Sequence, residues 1–165
     1  NKMENIIETL LWLSREDAAD HQESVFAVLP AVREVIEQNR YLIAGKPVKI
    51  DLIARAEPQL TVPSPLFQIA ITNLIRNAAQ STPDGNITVA VRTDRVVVSD
   101  SGVGIAAKDL ETVTQPHVRG SRSEGFGLGL SIVSRLCDRF GWQLDIKSAV
   151  GSGTTVQLIF RPTAK

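Results

Sequence analysis

The sequence of 165 residues has a single cysteine, no long apolar run and no excess of either charge. One cysteine cannot form an internal disulfide, and the absence of a cysteine and histidine cluster argues against a structural zinc site. No apolar stretch approaches the ~20 residues that a transmembrane helix needs. Because 18 basic and 18 acidic side chains balance, the chain lacks the positive field of a nucleic-acid binder, and we expect no nucleic-acid partner.

The first 20 residues form an amphipathic pattern, with apolar side chains such as Met3, Ile7 and Leu11 at helical spacing. The pattern begins without an N-cap, so we expect the chain to be a segment of something longer. Its apolar stripe packs either on the rest of this domain or, as we prefer, against another helix or chain. Residues 21–165 are then expected to form the main domain, for which 43% hydrophobic residues supply a core.

The remaining periodicity alternates between helical and extended patterns. Helices are predicted from Pro30 to about Gly45, from Pro65 to about residue 80, and from Gly127 to Phe140. Short strands are predicted at residues 25–29, 48–54, 60–62, 87–92, 96–99, 143–148 and 154–160. From about residue 102 to residue 124 no period is sustained, and a loop of that length is usually functional. The pattern predicts an α/β two-layer sandwich with a mixed sheet packed on helices.

Two asparagines, Asn73 and Asn77, lie four residues apart on the predicted long helix and therefore on one face. An amide oxygen is a hard, neutral ligand that suits magnesium when the phosphates of a nucleotide supply the negative charge. Solvated asparagines on a helix surface are the alternative interpretation.

The motif DSGVG runs from Asp100 to Gly104, directly after a predicted strand. A carboxylate at a strand end accepts a hydrogen bond from an exocyclic amine, so it can select adenine over guanine. The glycines permit a tight turn and close backbone approach. An ordinary turn is the alternative.

The motif GFGLGL runs from Gly125 to Leu130 into a predicted helix. Backbone N–H groups of such glycines, together with the helix N-terminus, favour an anion such as phosphate. The spacing is neither that of a P-loop nor that of a Rossmann fingerprint. A fourth motif, GSGTT before the last strand, places the Thr154 hydroxyl where it could reach a base or Asp100, or else forms a simple hairpin loop.

Taken in order, these motifs cover residues 24–161 and resemble the ATP-binding domain shared by gyrase, heat-shock chaperones, MutL and sensor histidine kinases, which has the Bergerat-type fold. The stretch NLIRNAAQS is most similar to that of bacterial two-component sensor histidine kinases. The opening ENIIETLLWLSRED resembles the end of the second helix of their dimerisation and phosphotransfer hairpin. The resemblance implies a mostly antiparallel mixed sheet, a hairpin remnant at residues 1–20 and a lid at about residues 105–124.

The resemblance also implies a site for ATP or ADP with magnesium. Asn77 matches the metal-coordinating asparagine, with Asn73 on the phosphate side, and Asp100 matches the adenine-reading aspartate. Thr154 matches a threonine near the adenine. Arg119 matches a basic lid residue that approaches the γ-phosphate, with Arg122 as a second cation, although both also fit a solvated loop. The other residues that would shape the base pocket and cradle the phosphates are Gly102, Gly104, Ile105, Gly125, Phe126, Gly127, Leu128 and Gly129.

The chain departs from the family pattern at two places. Gln80 and Ser81 stand where such kinases commonly have a lysine followed by an aromatic residue, which removes one charge contact to the phosphates. Thr114 and His117 stand where many relatives have two lid phenylalanines.

Neither of the two histidines matches the phosphoacceptor of the family. His21 is not followed by the expected acid, arginine and proline, and it lies after the hairpin remnant; His117 lies in the lid and is not assigned a catalytic role. We therefore expect the phosphoacceptor to be absent from this chain.

The resemblance implies the donor half of a phosphotransfer reaction, in which the γ-phosphate passes to a histidine on the missing hairpin and then to a response-regulator receiver domain. The full-length protein would be a dimer anchored in the bacterial inner membrane, with this part on the cytoplasmic side and monomeric by itself. The alternatives are a serine kinase of the anti-sigma-factor type, an ATPase of the same fold, or a non-enzymatic nucleotide-sensing domain.

Overall fold

The computed structural model describes residues 23–110 and 126–164. In chain order the elements are β1 (Ser24–Ala27), α1 (Val28–Asn39), a 3-10 helix (Arg40–Ile43), β2 (Val48–Ala54), β3 (Gln59–Val62), α2 (Ser64–Ser81), β4 (Gly85–Val91), β5 (Arg95–Asp100), α3 (Ala107–Leu110), α4 (Phe126–Phe140), β6 (Gln143–Ala149) and β7 (Gly153–Ile159). The expected hairpin remnant and most of the lid lie outside the described residues, as do His21, Thr114, His117, Arg119, Arg122 and Gly125.

The main sheet has five strands in the order β2-β4-β5-β7-β6. Strands β2 and β4 are parallel, and the other three neighbouring pairs are antiparallel. The alternating patterns in the sequence explain these strands, because buried residues alternate with exposed or half-buried ones in β2, β4, β5 and β7. In β6 the residues that face the core are half-buried. The mixed, mostly antiparallel sheet that the sequence predicts is therefore confirmed.

The hydrophobic core lies between one face of this sheet and the helices. Helix α2 packs against both α1 and α4, and its apolar stripe includes Phe67, Ile71 and Ile75, all of which are fully buried. The opposite sheet face carries polar contacts, including one between the hydroxyls of Ser99 and Thr155 at 3.1 Å. The molecule is thus a two-layer α/β sandwich, as the sequence predicts.

The beginning of the domain differs from the sequence-based expectation. The strand predicted at residues 25–29 ends at Ala27, and Val28 and Leu29 already belong to α1, where both are buried. The N–H of Val28 donates to the carbonyl of Pro58, and Pro30 lies within the first turn, where a helix does not need its N–H. Burial of these two apolar side chains against the core explains why the helix begins earlier than Pro30.

Three further features were not predicted. Strands β1 and β3 form a separate two-stranded antiparallel sheet. Helix α1 ends at Asn39 and continues as the 3-10 helix, so it does not run to Gly45. The expected irregular stretch after residue 102 contains the short helix α3. Among the described residues, no helix combines the length and apolarity that a membrane crossing requires.

Candidate functional site

The C-terminal half of α2 carries the asparagine pair. The side-chain amide of Asn73 donates from Nδ2 to the carbonyl of Ile69 at 2.8 Å, which leaves its Oδ1 available to accept. Asn77 is only 7% exposed, and its Nδ2 makes no hydrogen bond to any described residue. A buried amide nitrogen without a partner costs free energy, so stability alone gives no reason for an asparagine at this position.

Gly129 of the glycine motif packs directly on this pair. A Cβ added to Gly129 would lie 3.0 Å from Oδ1 of Asn77 and 3.4 Å from Oδ1 of Asn73. The first turns of α4, which begins at Phe126 and includes Gly127 and Leu128, are therefore next to both amides. The first N–H groups of a helix have no partner within the helix, and the N-terminal end of the helix attracts anions.

The DSGVG motif lies at the end of β5 and packs on the last turn of α2. The N–H of Gly102 donates to Oδ1 of Asp100 at 2.9 Å, and the N–H of Val103 donates to the carbonyl of Ser81 at 2.9 Å. A Cβ on Gly102 would lie 2.1 Å from that same carbonyl oxygen. Only glycine allows this approach, which brings the Asp100 turn close to the end of α2.

Burial and hydrogen bonding act in opposite directions on the pKa of Asp100. Burial raises the pKa of its carboxyl above the ordinary value, the backbone amides of Gly102 and Thr154 lower that pKa as hydrogen-bond donors, and the neighbouring hydroxyls of Thr82 and Ser81 lower it further. The Thr82 hydroxyl is itself buried and does not reach full hydrogen-bond geometry with any described residue. The carboxylate is thus a partly desolvated acceptor with unsatisfied polar groups next to it.

The hairpin between β6 and β7 joins the same site. Gly104 has a φ of +74°, and a Cβ there would lie 2.0 Å from the carbonyl oxygen of Ala149. The N–H of Gly151 donates to the carbonyl of Val103 at 2.9 Å. Ile105, which follows this turn, is buried. The second and fourth motifs of the sequence are therefore parts of one structure.

Thr154 is buried next to Asp100, but its hydroxyl contacts a residue that the motifs do not include. Its Oγ1 lies 2.8 Å from Oγ of Ser148, which also accepts the N–H of Ile105 at 2.7 Å. Sequence reasoning missed Ser148 because a single serine in a strand has no motif around it. The available signal was its position on the inward side of β6, where Leu144 and Ile146 pack against the core.

Gln80 and Ser81, which differ from the family pattern, lie at the C-terminal end of α2. Gln80 is exposed, whereas Ser81 is buried and its hydroxyl donates to the carbonyl of Asn77 at 2.9 Å. Lys46, from the loop before β2, donates from Nζ to the carbonyl of Ala79 at 3.0 Å. A cation therefore stabilises the C-terminal end of α2, although it comes from another part of the chain.

Two groups of polar residues thus lie along the last turns of α2. One group is the amide pair with Gly129, and the other contains Asp100 and Thr154 with the Gly102, Gly104 and Ile105 turn. Among residues 23–110 and 126–164, no cluster of three His, Cys, Asp or Glu side chains could hold a metal ion. The amide pair itself is neutral, which suits a cation whose charge is balanced by the phosphates of a ligand.

The chain is similar to known proteins in both sequence and fold. Residues 62–164 match the family model described as histidine kinase-, DNA gyrase B-, and HSP90-like ATPase. The phosphate regulon sensor protein PhoR of Pseudomonas aeruginosa is 31% identical over 176 aligned positions, which cover 98% of this chain and 39% of PhoR. The histidine protein kinase DivJ of Caulobacter vibrioides is 37% identical over 97 positions, which cover 53% of this chain and 16% of DivJ. The chain thus spans well under half the length of either relative.

Solved structures share the fold. The cytoplasmic segment of histidine kinase QseC has a TM-score of 0.70 at 20% identity, with 98% of this chain and 94% of that chain covered. Full-length ShkA in complex with AMPPNP has a TM-score of 0.76 at 22% identity, with 96% of this chain and 36% of that chain covered. The two-layer sandwich is therefore the same fold as in these kinases.

Proposed function

Because the chain belongs to the family of histidine kinase-, DNA gyrase B- and HSP90-like ATPases, we propose that it is the ATP-binding catalytic domain of a sensor histidine kinase. In this proposal residues 21–165 are the catalytic domain, with a lid at about residues 105–124, and residues 1–20 end the phosphotransfer hairpin. The observation that carries the proposal is the buried Asn77 side chain, whose Nδ2 has no described partner and which lies with Asn73 against Gly129 of α4.

The adenine would be read by Asp100. Its ionised carboxylate only accepts hydrogen bonds, so it suits the exocyclic amine of adenine and repels the carbonyl that guanine presents at that edge. Thr154 lies opposite Asp100 in the register of β5 and β7 and would complete this edge of the pocket. Gly102, Gly104 and Ile105 would shape the floor, since their backbone packs on the end of α2 and on the hairpin.

The phosphates would lie between the amide pair and the N-terminus of α4. Asn77, with Asn73 beside it, offers neutral amide oxygens that fit magnesium in a nucleotide complex. Such an ion, when bound, would neutralise phosphate charge. Backbone N–H groups around Gly125, Phe126, Gly127, Leu128 and Gly129 would hold the phosphate oxygens, and Arg119 would offset charge at the γ-phosphate.

The reaction would be transfer of the γ-phosphoryl group to an imidazole nitrogen on the missing hairpin. The bond from the γ-phosphorus to the bridging oxygen breaks, the bond to nitrogen forms, and ADP leaves. The residues of this chain position the nucleotide and stabilise charge, and no described side chain needs to move a proton. A response-regulator receiver domain would then take the phosphoryl group from the histidine. The full-length protein would be a dimer anchored in the bacterial inner membrane, with this domain in the cytoplasm.

A transfer assay tests the proposal. The chain is mixed with a separately produced phosphotransfer hairpin of the same full-length protein, magnesium and γ-labelled ATP. We expect acid-labile label on a histidine of the hairpin, none on the chain itself, and loss of transfer in Asp100→Asn. The matched control is Asp51→Asn, which alters an exposed aspartate of β2 and should transfer as the wild type does. Label on serine, phosphate release without transfer, or binding without any chemistry would contradict the proposal.

A further inference from the structure

Ser148 belongs to a row of polar residues that crosses three neighbouring strands. Asp100 on β5 is in register with Thr154 on β7, which is in register with Ser148 on β6. All three lie on the sheet face that meets the helices, because they alternate with the same period as the core residues of their strands. Ser148 therefore lies one strand beyond the proposed base pocket and contacts it through the Thr154 hydroxyl and the N–H of Ile105.

Three contacts meet at Oγ of Ser148. The N–H of Ile105 donates to it at 2.7 Å, it lies 2.9 Å from the carbonyl oxygen of Gly153, and it lies 2.8 Å from Oγ1 of Thr154. The carbonyl of Gly153 can only accept, so the single hydroxyl hydrogen of Ser148 is needed there. The contact with Thr154 must then use the hydroxyl hydrogen of Thr154. No other assignment gives every one of these contacts a hydrogen.

This assignment fixes what Thr154 can offer to a ligand. Its only hydroxyl hydrogen is directed at Ser148, so the oxygen presents lone pairs towards the base pocket. The carboxylate of Asp100 in the same row is also an acceptor. The pocket edge then consists of two acceptors, which favour the exocyclic amine of adenine, or a water that donates, over the carbonyl of guanine.

We propose that Ser148 is a positioning residue that sets the purine selectivity of the site by holding the Thr154 hydroxyl as an acceptor. The inference rests on the proposed function. Without the Ser148 hydroxyl, the Thr154 hydroxyl can rotate and donate to a carbonyl, so guanine is rejected less strongly. Overall affinity for ATP changes less than the preference between the two purines.

The test is calorimetric titration of the chain with MgATP and with MgGTP. We expect Ser148→Ala to lower the ratio of ATP to GTP affinity by about 3- to 10-fold, the worth of one redirected hydrogen bond. Ser148→Thr retains the hydroxyl and should restore the wild-type ratio. Ser148→Cys keeps the volume of the side chain and should lower the ratio as Ser148→Ala does. It replaces the Ala variant in the test if that variant does not fold. Ser99→Ala is the matched control, because it removes a serine–threonine hydroxyl contact on the opposite face.

A double-mutant cycle with Thr154→Val shows whether Ser148 acts through Thr154. In that background Ser148→Ala should leave the ratio unchanged, because no hydroxyl remains to be oriented. An unchanged ratio in both Ser148→Ala and Ser148→Cys, or independent effects in the cycle, would overturn the inference and leave the proposed function in place. A wild-type chain that binds neither nucleotide would overturn the proposed function itself.

Discussion

The two ends of helix α2 are built in opposite ways. Near its beginning, the ring of Phe67 packs against Phe26, Trp142 and Phe160, with centroid distances of 5.4, 6.2 and 6.3 Å. Near its end, the Asn77 amide nitrogen and the Thr82 hydroxyl are buried without a hydrogen-bond partner among the described residues. The aromatic end is thus completed by folding, whereas the polar end retains unsatisfied groups.

This difference indicates where the molecule has been shaped for a ligand. Aromatic rings in tilted and edge-on contact stabilise the fold by burial and need nothing further. A buried polar group without a partner costs about 1–3 kcal/mol, so folding alone gives no reason to retain two of them on the same helix end. In the proposed function, a bound nucleotide would bring acceptor oxygens to this end of the helix. The comparison therefore predicts that the two ends respond differently to mutation.

The largest expected effect is at the aromatic end. Phe67→Ala should lower the free energy of unfolding by about 3–5 kcal/mol, because it removes a fully buried ring from the centre of the cluster. Urea denaturation measures this loss, and Phe140→Ala, which alters a half-buried ring at the edge of the same cluster, should cost less. ATP affinity of the folded Phe67→Ala protein should equal that of the wild type. A loss of ATP affinity without a loss of stability would contradict the conclusion that this end of α2 serves the fold alone.

A smaller and opposite effect is expected where α4 meets the amide pair. Gly129→Ala places a methyl group 3.0 Å from Oδ1 of Asn77, so the amide must shift by a few tenths of an ångström. We expect ATP affinity to fall about tenfold, while helix propensity favours the variant by up to about 1 kcal/mol. Calorimetry and thermal unfolding measure the two quantities separately. Ser134→Ala on the same helix is the control and should bind ATP normally; equal binding by both variants would contradict the packing described.

The smallest expected effect is the pH dependence of stability due to Asp100. Burial raises the pKa of this carboxyl in the folded state, so the folded protein holds the proton more tightly than the unfolded chain. Its contribution to stability therefore falls as the pH rises from about 4, the ordinary carboxyl value, through the raised pKa. Asp100→Asn should remove this component, so the variant gains stability relative to the wild type across that window. A constant difference in melting temperature across the window would contradict the assignment.

Much of the fold could be predicted from local patterns. Strand β2 was predicted with its observed limits, because VKIDLIA alternates cleanly and is bounded by Pro47. The separate β1–β3 sheet could not be predicted, because the pairing of two four-residue strands 32 positions apart depends on tertiary packing. Likewise, the helical state of Val28 and Leu29 follows from their burial and not from any local signal.

The candidate site was predictable to the extent that its residues belong to motifs. The spacing of Asn73 and Asn77 indicates one helix face, and the structure places both beside Gly129, as the order of the motifs suggested. Lys46 and Ser148 were missed because neither belongs to a motif, and each joins the site region through side-chain hydrogen bonds. Such contacts depend on strand register and loop position, which sequence spacing does not reveal.

Two buried helical asparagines allow the most direct test of the central claim that the polar end of α2 is a nucleotide site. Asn39 donates its amide to the carbonyl of Val35 at 2.8 Å, whereas the Asn77 amide nitrogen has no described partner. Calorimetric titration with MgATP should give wild-type affinity for Asn39→Ala. For Asn77→Ala the affinity should fall by about 100-fold or more, which corresponds to about 2.7 kcal/mol of binding free energy. Urea denaturation should show a larger loss of stability for Asn39→Ala, which removes a buried hydrogen bond, than for Asn77→Ala. Wild-type affinity in Asn77→Ala would contradict the account.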